Sequence, residues 1–260
     1  MKHASIGVIA SPHLGDGSFA KEGLNLLEEE HALKFEPVSA SLFDRPETPI
    51  NEFKVDLAVV FGGDGTILYA VNELRQTNPL VLGVNTGRVG FLSEIEPQNF
   101  LAAVKKLING DYRVDERIKL CVNNKIQALN EVVLFPLRQS ALLEFKILIE
   151  GETQLIFDGD GLIVSTPTGS TGHALSAGGP TVSSNACVFL IVPVNPIRRQ
   201  QAPVIVPDDS KIEIQLINQE KQATLIVDGR VESTIEPTQK IVVEKSNTKA
   251  RFIRLSKDDE

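Results

Sequence analysis

Two stretches of this chain combine glycine with short polar side chains more densely than folding alone usually requires. Gly62-Gly63-Asp64-Gly65-Thr66 follows the apolar run Leu57 to Phe61. Asp158 to Pro180 (DGDGLIVSTPTGSTGHALSAGGP) places six glycines and six Ser or Thr hydroxyls in 23 residues. Glycine lets backbone approach a ligand closely, and Ser and Thr supply hydroxyls and helix caps. A polar ligand rich in oxygen is expected at both stretches. In the first, three glycines allow backbone N–H groups to converge on an anion, and the following helix N-terminus adds partial positive charge. The loop lacks the Lys-Ser/Thr of a Walker A motif and the spacing of a dinucleotide fingerprint. The Asp64 carboxylate repels phosphate. It makes chemical sense if it takes a proton from a hydroxyl that attacks phosphate. A tight turn with Asp64 as helix N-cap fits the same spacing, and spacing alone does not choose between them.

These loops need elements to hold them. Up to about residue 100, short apolar runs alternate with helical patterns. Ile6–Ala10, Leu57–Phe61 and Leu80–Val84 read as buried strands, and 19–30, 66–75 and 100–108 as helices. Continuous apolar strands separated by helices predict an open parallel sheet covered on both faces, a Rossmann-like α/β domain. Asp44 to Pro49 reads as a loop, and Asn109-Gly110-Asp111 ends the last helix. Beyond it the period becomes two. Residues 143–150, 212–216, 224–227, 240–244 and 251–255 read as strands, and Asp228-Gly229 as a hairpin turn. An all-β C-terminal domain, an antiparallel β sandwich, is expected. The reading divides the chain into 1–99, carrying the GGDGT loop, and 100–260, β-rich and dinucleotide-binding.

A formal net charge of −8 argues against nucleic acid or an anionic membrane as partner. No apolar run reaches the roughly 18–20 residues of a membrane span, and Met1-Lys2-His3-Ala4 leads into a strand with no signal-peptide pattern. Two cysteines, Cys121 and Cys187, read as buried thiols of a cytoplasmic protein. His3, His13, His31 and His173 show no metal-ligand spacing, so no protein metal site is expected.

The order of blocks resembles the NAD kinase family. GGDGT is followed by Asn85-Thr86-Gly87-Arg88-Val89-Gly90-Phe91-Leu92, Asn130-Glu131-Val132-Val133, and the run from Asp160-Gly161 through TPTGST to Ser176-Ala177-Gly178-Gly179-Pro180. GGDGT also occurs in lipid kinases and phosphofructokinases, whereas the TPTGST and SAGGP blocks with an upstream Asn-Glu are specific. The resemblance implies two domains with the active site between them. It implies transfer of the γ-phosphate of ATP to the 2′-hydroxyl of the adenosine ribose of NAD, giving NADP. It also implies Mg²⁺ or another divalent cation with the ATP, and a homo-oligomer, a dimer or tetramer. Asp64 is implied as general base. Gly62, Gly63, Gly65, Thr66 and Arg88 are implied on the ATP side. For NAD it implies Asp64, Gly65, Phe91, Asn130, Glu131, Asp160, Thr168, Thr171, Gly172, His173 and Ser176. Phe91 would lie against adenine, the Asn130-Glu131 pair would hold the adenosine, and Asp160 would touch the nicotinamide-side ribose.

The chain departs from that family in four places. His173 follows Gly172 where Ala-Tyr is usual; imidazole is planar and also stacks. Asp158 stands where Arg is common. Asn195-Pro196-Ile197-Arg198-Arg199 replaces a Pro-His-Ser segment, and its two arginines offer charge for phosphate. The chain stops soon after Arg254-Leu255, where many relatives continue into a helix. Two other functions share part of the pattern. A lipid kinase shares GGDGT, but the acidic composition and lack of a basic amphipathic helix weigh against it. A catalytically silent NAD-binding regulator has no use for Asp64.

Overall fold

The computed structural model describes residues 4–87, 90–138, 142–197, 201–217, 221–237 and 239–255. The chain forms two compact units: residues 1–116 with 250–260, and residues 117–249.

The first unit runs β1 (Ser5–Ala10), α1 (Lys21–Glu28), β2 (Ala32–Phe35), α2 (Pro37–Phe43), β3 (Leu57–Gly62), α3 (Asp64–Glu73), β4 (Leu80–Asn85), α4 (Phe100–Asn109) and β5 (Tyr112–Arg117). Its sheet has the order β2-β1-β3-β4, continued by the last strand of the chain and then β5. All pairings among β1 to β4 are parallel, as the buried apolar runs require. β2 was not legible as a strand, because ALKF is short and only Phe35 in it is fully buried. The α4 face Phe100, Ala103, Val104 and Leu107 is buried at helical spacing, and Gly110 ends the helix at φ 77°. This helix packs in the first unit, so that unit extends past the limit at residue 99 read from the sequence.

Aromatic packing fixes the carboxyl end of β3. The Phe61 ring lies 5.0 Å from Phe100, 5.6 Å from Phe43 and 5.8 Å from Phe19, centroid to centroid. Edge-on and tilted contacts of this kind each add about 1 kcal/mol to the burial itself. Since Phe61 immediately precedes Gly62, these rings hold the root of the glycine loop.

The second unit contains β6 (Leu120–Val122), β7 (Ile126–Ala128), β8 (Glu131–Pro136), β9 (Leu143–Ile149), β10 (Glu152–Gly159), β11 (Gly161–Ser165), α5 (His173–Ser176), β12 (Val188–Val194), β13 (Val204–Pro207), β14 (Ile212–Leu216), β15 (Ala223–Val227), β16 (Arg230–Ile235) and β17 (Ile241–Lys245). Two six-stranded sheets result, β10-β9-β14-β17-β6-β7 and β13-β12-β11-β8-β15-β16, with antiparallel pairing. One core joins their inner faces, with Phe145, Ile147 and Ile214 from one sheet and Leu162, Val164 and Leu225 from the other. The alternating burial of β9, β14 and β15 is the expected sandwich signature. β11 is buried throughout because its outer face is covered too: Ile163 packs with Ala174 of α5.

Two sequence readings change. β18 (Ala250–Leu255) is a strand as expected, but it pairs parallel with β4 in the first unit rather than joining the sandwich. Its Phe252, Ile253 and Arg254 are all buried, which period two alone cannot assign to either sheet. Cys187 is exposed and Cys121 half-buried, so the thiols are not both core residues. Among the described residues, no helix is long and apolar enough to cross a membrane.

Candidate functional site

In the first unit the glycine loop sits at the carboxyl end of β3, where parallel sheets bind ligands. Gly63 is the residue that caps α3, and Asp64 is its first helical residue. Asp64 is therefore not the N-cap. Its carboxylate reaches across to the turn before residue 92: Oδ2 accepts the Phe91 N–H at 2.9 Å and Oδ1 the Leu92 N–H at 3.1 Å. Gly90 must be glycine for this approach, since a β-carbon there would collide with Asp64 Oδ1. At Gly62 a β-carbon would collide with Thr66, which turns inward on the loop. At Gly63 and Gly65 it would meet nothing within 4 Å, so these two positions leave the loop backbone open to an incoming anion. The Phe91 ring is 70% exposed, an open face available for stacking. Arg88 lies outside the described residues.

The carboxylate-bearing turn is tied to the end of the chain. Arg254 Nη1 donates to the Leu92 carbonyl at 3.0 Å, and its Nε to Asp115 Oδ2 at 3.1 Å. Glu94 adds a longer ion pair at 3.3 Å. A single residue, Leu92, thus links a buried arginine of β18 to the carboxylate of Asp64.

The second unit gathers the Asn-Glu pair and the TPTGST turn. Glu131 opens β8 beside Ser165 of β11. The Asn130 carbonyl accepts the Thr166 N–H at 2.9 Å and the Ser165 hydroxyl at 3.2 Å. Gly169 lies directly on that carbonyl, leaving no space for a β-carbon. The Thr166 hydroxyl donates to the Leu129 carbonyl at 2.6 Å and accepts the Gly169 N–H at 3.1 Å. Ser170 donates to the Pro167 carbonyl at 2.7 Å and accepts the Val182 N–H at 3.2 Å. Half of the hydroxyls in the run thus build the turn itself, more than the sequence reading assigned to folding.

What remains faces outward from that scaffold. Thr168 Oγ1 and Glu131 Oε2 are buried with no hydrogen-bond partner. Glu131 is only 8% exposed, and its carboxyl is pushed up to about 7, first by burial and then by the nearby Asp228 carboxylate. The Asn130 side-chain amide makes no hydrogen bond among the described residues, although its backbone is fully engaged. Buried orphans such as Thr168 Oγ1 and Glu131 Oε2 cost about 1–3 kcal/mol each unless a ligand satisfies them. Thr171 is half-buried and Gly172 exposed, the latter beside Glu131 Oε2. His173 and Ser176 are exposed on α5, and the imidazole lies 5.8 Å from the Phe135 ring, tilted at 39°.

Asp160 does not join this cluster. It precedes β11, while Glu131 pairs with Ser165 at the other end, about 17 Å along the strand. Its Oδ2 accepts from Asn195 Nδ2 at 2.9 Å, so Asn195 of the unusual Asn-Pro-Ile segment orients Asp160. Arg198 and Arg199 lie outside the described residues.

The residue that sequence reasoning missed is Asp228. Read as half of a hairpin turn, it does take φ 46° with Gly229 at 80° between β15 and β16. Its carboxylate also accepts three backbone N–H groups: Leu129 at 2.8 Å, Asn130 at 2.8 Å and Glu131 at 3.1 Å. No local signal could have found this, because the partners lie 97 to 99 residues away. Among the described residues no group of three or more His, Cys, Asp or Glu side chains is placed to hold a metal ion.

The profile of the ATP-NAD kinase N-terminal domain matches residues 16–112, and that of the ATP-NAD kinase C-terminal domain matches residues 129–255. The chain belongs to the NAD kinase family. An NAD kinase of Thermococcus gammatolerans is 41% identical over 213 residues, covering 80% of this chain and 76% of the relative. One from Methanothermobacter thermautotrophicus is 38% identical over 212 residues, covering 80% and 75%. Among solved structures, an NAD kinase from Archaeoglobus fulgidus in complex with ATP superposes with a TM-score of 0.81 at 28% identity, covering 97% of this chain and 94% of that one. Yeast NADH kinase complexed with NADH shares the fold, with a TM-score of 0.88 at 24% identity over 98% and 84% of the chains. Within the NAD kinase family the two-domain α/β and antiparallel-β architecture is thus the expected one, and the lipid kinase and silent-regulator readings gain no support.

Proposed function

We propose that this chain is an NAD kinase that transfers the γ-phosphate of ATP to the 2′-hydroxyl of the adenosine ribose of NAD. The observation that carries the reading is Glu131: a carboxylate buried with one oxygen unpartnered, next to an Asn130 amide without a hydrogen bond. A ribose with vicinal hydroxyls supplies the donors such a pair lacks. Thr168 Oγ1 and the exposed His173 ring extend that surface, with Thr171, Gly172 and Ser176 beside them. Asp160 serves the nicotinamide-side ribose, and Phe91 stacks on adenine.

In the reaction Asp64 accepts the proton of the 2′-hydroxyl. The 2′-oxygen forms a bond to the γ-phosphorus, the bond from that phosphorus to the β,γ-bridging oxygen breaks, and ADP leaves. The N–H groups of Phe91 and Leu92 hold both Asp64 oxygens in place, and each oxygen retains a lone pair for the proton. Gly62, Gly63, Gly65 and Thr66, with Arg88, take the ATP phosphates. Mg²⁺ or another divalent cation enters with ATP as part of the substrate and offsets its charge. The enzyme is cytoplasmic, acts on free nucleotides rather than on nucleic acid or membrane, and works as a homo-oligomer, a dimer or tetramer.

Purified protein incubated with NAD, ATP and Mg²⁺ forms NADP, read with an NADP-specific dehydrogenase. Absence of NADP under conditions where both nucleotides bind overturns the reading.

A further inference from the structure

Ser93 follows the turn that holds Asp64, yet its hydroxyl takes no part in fixing that turn. The backbone around it is already held. Arg254 Nη1 donates to the Leu92 carbonyl, the other half of the Ser93 peptide, at 3.0 Å. The Glu94 N–H donates to the Gly83 carbonyl of β4 at 3.2 Å, and the Asn85 N–H to the Ile95 carbonyl at 2.7 Å. Ser93 lies directly on Gly83, where an added β-carbon would come to 3.1 Å from Ser93 Cα. What freedom Ser93 retains is the torsion of its side chain.

Its Oγ is buried and makes no hydrogen bond among the described residues. It nevertheless faces the carboxylate. Asp64 Oδ1 and Ser93 Oγ close on the same point beside Gly90: a β-carbon added there would collide with Oδ1 and stand 3.1 Å from Oγ. Gly90 thus keeps open the space between hydroxyl and carboxylate. A buried hydroxyl without a partner is destabilising, and alanine would fit the same backbone. Folding alone gives no reason for this oxygen.

The reaction does give one, because the carboxyl changes its needs. While ionised it only accepts, and the Phe91 and Leu92 N–H groups serve one oxygen each. Once it has taken the proton of the 2′-hydroxyl it carries an O–H, which requires an acceptor. Both backbone groups are donors and cannot supply one. The lone pairs of Ser93 Oγ can.

We infer that Ser93 is a positioning residue for Asp64: its hydroxyl oxygen accepts the hydrogen bond of the carboxyl O–H that forms when Asp64 takes the proton. The inference rests on the kinase reading and adds to it the group that receives the base in its protonated form. The proton stays on Asp64, and only the serine O–H turns to present a lone pair. Since the contact arises with the proton transfer, it lowers the barrier without tightening the binding of either nucleotide.

Ser93→Ala removes the acceptor. Its kcat for NADP formation should fall about tenfold, the worth of one hydrogen bond made only during the reaction. Calorimetric dissociation constants for NAD and ATP should stay within about twofold of wild type, and the melting temperature should be no lower. Wild-type kcat in Ser93→Ala overturns the assignment, as does a kcat that falls in step with the melting temperature. A second measurement needs no turnover. The side-chain amide of Asp64→Asn carries an N–H donor where the protonated carboxyl carries its O–H. Adding Ser93→Ala to Asp64→Asn should therefore lower the folding equilibrium constant in urea about fivefold, whereas Ser93→Ala in wild type should leave it unchanged or raise it. The same change in both backgrounds overturns the pairing. A wild-type protein that binds both nucleotides and forms no NADP defeats the kinase reading, and the unfolding comparison still decides whether Ser93 meets the carboxyl.

Discussion

Asp228 holds Asn130 in place from the far side of the sequence, accepting its backbone N–H at 2.8 Å together with those of Leu129 and Glu131. The Asp228 N–H in turn donates to the Glu131 carbonyl at 3.1 Å. Four hydrogen bonds therefore fasten the β15–β16 turn to the start of β8. The backbone of the Asn-Glu pair is engaged by this clamp and by the TPTGST turn, so its side chains carry no part of that scaffold.

Asp228→Ala removes all three acceptor contacts at once. Hydrogen bonds to a charged acceptor contribute about 1.5–3 kcal/mol each, and they are not additive. A loss of about 2–4 kcal/mol in urea unfolding is expected, with weaker NAD binding and nearly unchanged ATP binding. Asp228→Asn tolerates the left-handed backbone and keeps one acceptor oxygen, so it should fall between wild type and Ala. Equal weakening of both nucleotides would mean that the clamp serves only the fold.

The buried Glu131 carboxyl makes stability depend on pH. Its value of about 7 in the folded chain lies above the 4.5 of an ordinary Glu. Between those values the folded state binds more protons than the unfolded one, so this group's contribution falls as pH rises from about 4.5 through 7. Above that window the charged, buried carboxylate costs about 3 kcal/mol. Glu131→Gln should thus gain on wild type in urea unfolding at pH 8 and show no comparable gain at pH 4.5. A parallel offset at both pH values would contradict the linkage.

Lys119 gives the opposite slope. Its side chain is 1% exposed, with Nζ donating to Gln127 Oε1 at 2.7 Å, and burial lowers it to about 8 from 10.5. The unfolded chain binds more protons between about 8 and 10.5, so this contribution to stability rises with pH across that range. Lys119→Met removes the slope, and the stability difference between variant and wild type should shrink from pH 7 to pH 10. The same difference at both ends would mean that Lys119 is solvated when charged.

Much of this arrangement was legible in advance. The buried runs at β1, β3 and β4 declared a parallel sheet, and the alternation of β9 and β14 declared the sandwich. The GGDGT, Asn-Glu and TPTGST blocks marked both glycine turns. What stayed hidden depends on distant partners. Arg254 reads as one charge in a short apolar run, yet it is buried against Leu92 and Asp115. Lys119, between Ile118 and Leu120, looks like the outward residue of a strand but turns in to Gln127. Asp228 fits a turn so well that the role of its carboxylate had no separate signal. Hydroxyl density also misled in part, since Ser165, Thr166 and Ser170 are spent on the turn, while Thr168 Oγ1 is buried without a partner.

Asp64→Asn tests the base directly. The amide retains one acceptor oxygen, so one of the two bonds from Phe91 and Leu92 survives and the other meets an N–H donor. A stability loss of about 1 kcal/mol is expected, with a fall in kcat of about 10²–10⁴. NAD and ATP dissociation constants should move far less. A variant retaining more than about half of wild-type kcat would remove Asp64 from the proton transfer.

Arg254→Met asks whether the buried arginine acts through Leu92 on that base. Methionine fills much of the same space but leaves the Leu92 carbonyl and the Asp115 carboxylate without their donor. Breaking a buried ion pair costs about 3–5 kcal/mol, so the variant is expected to melt earlier. Pairing it with Asp115→Asn separates the two effects. The double variant removes the Asp115 charge that faced Arg254 and should recover part of the stability, while the Leu92 carbonyl remains without the arginine's hydrogen bond. If the arginine positions Asp64, kcat stays low in the double variant although the melting temperature rises. If kcat recovers in step with stability, Arg254 acts on the fold alone, and the two N–H bonds from Phe91 and Leu92 are sufficient to orient the base.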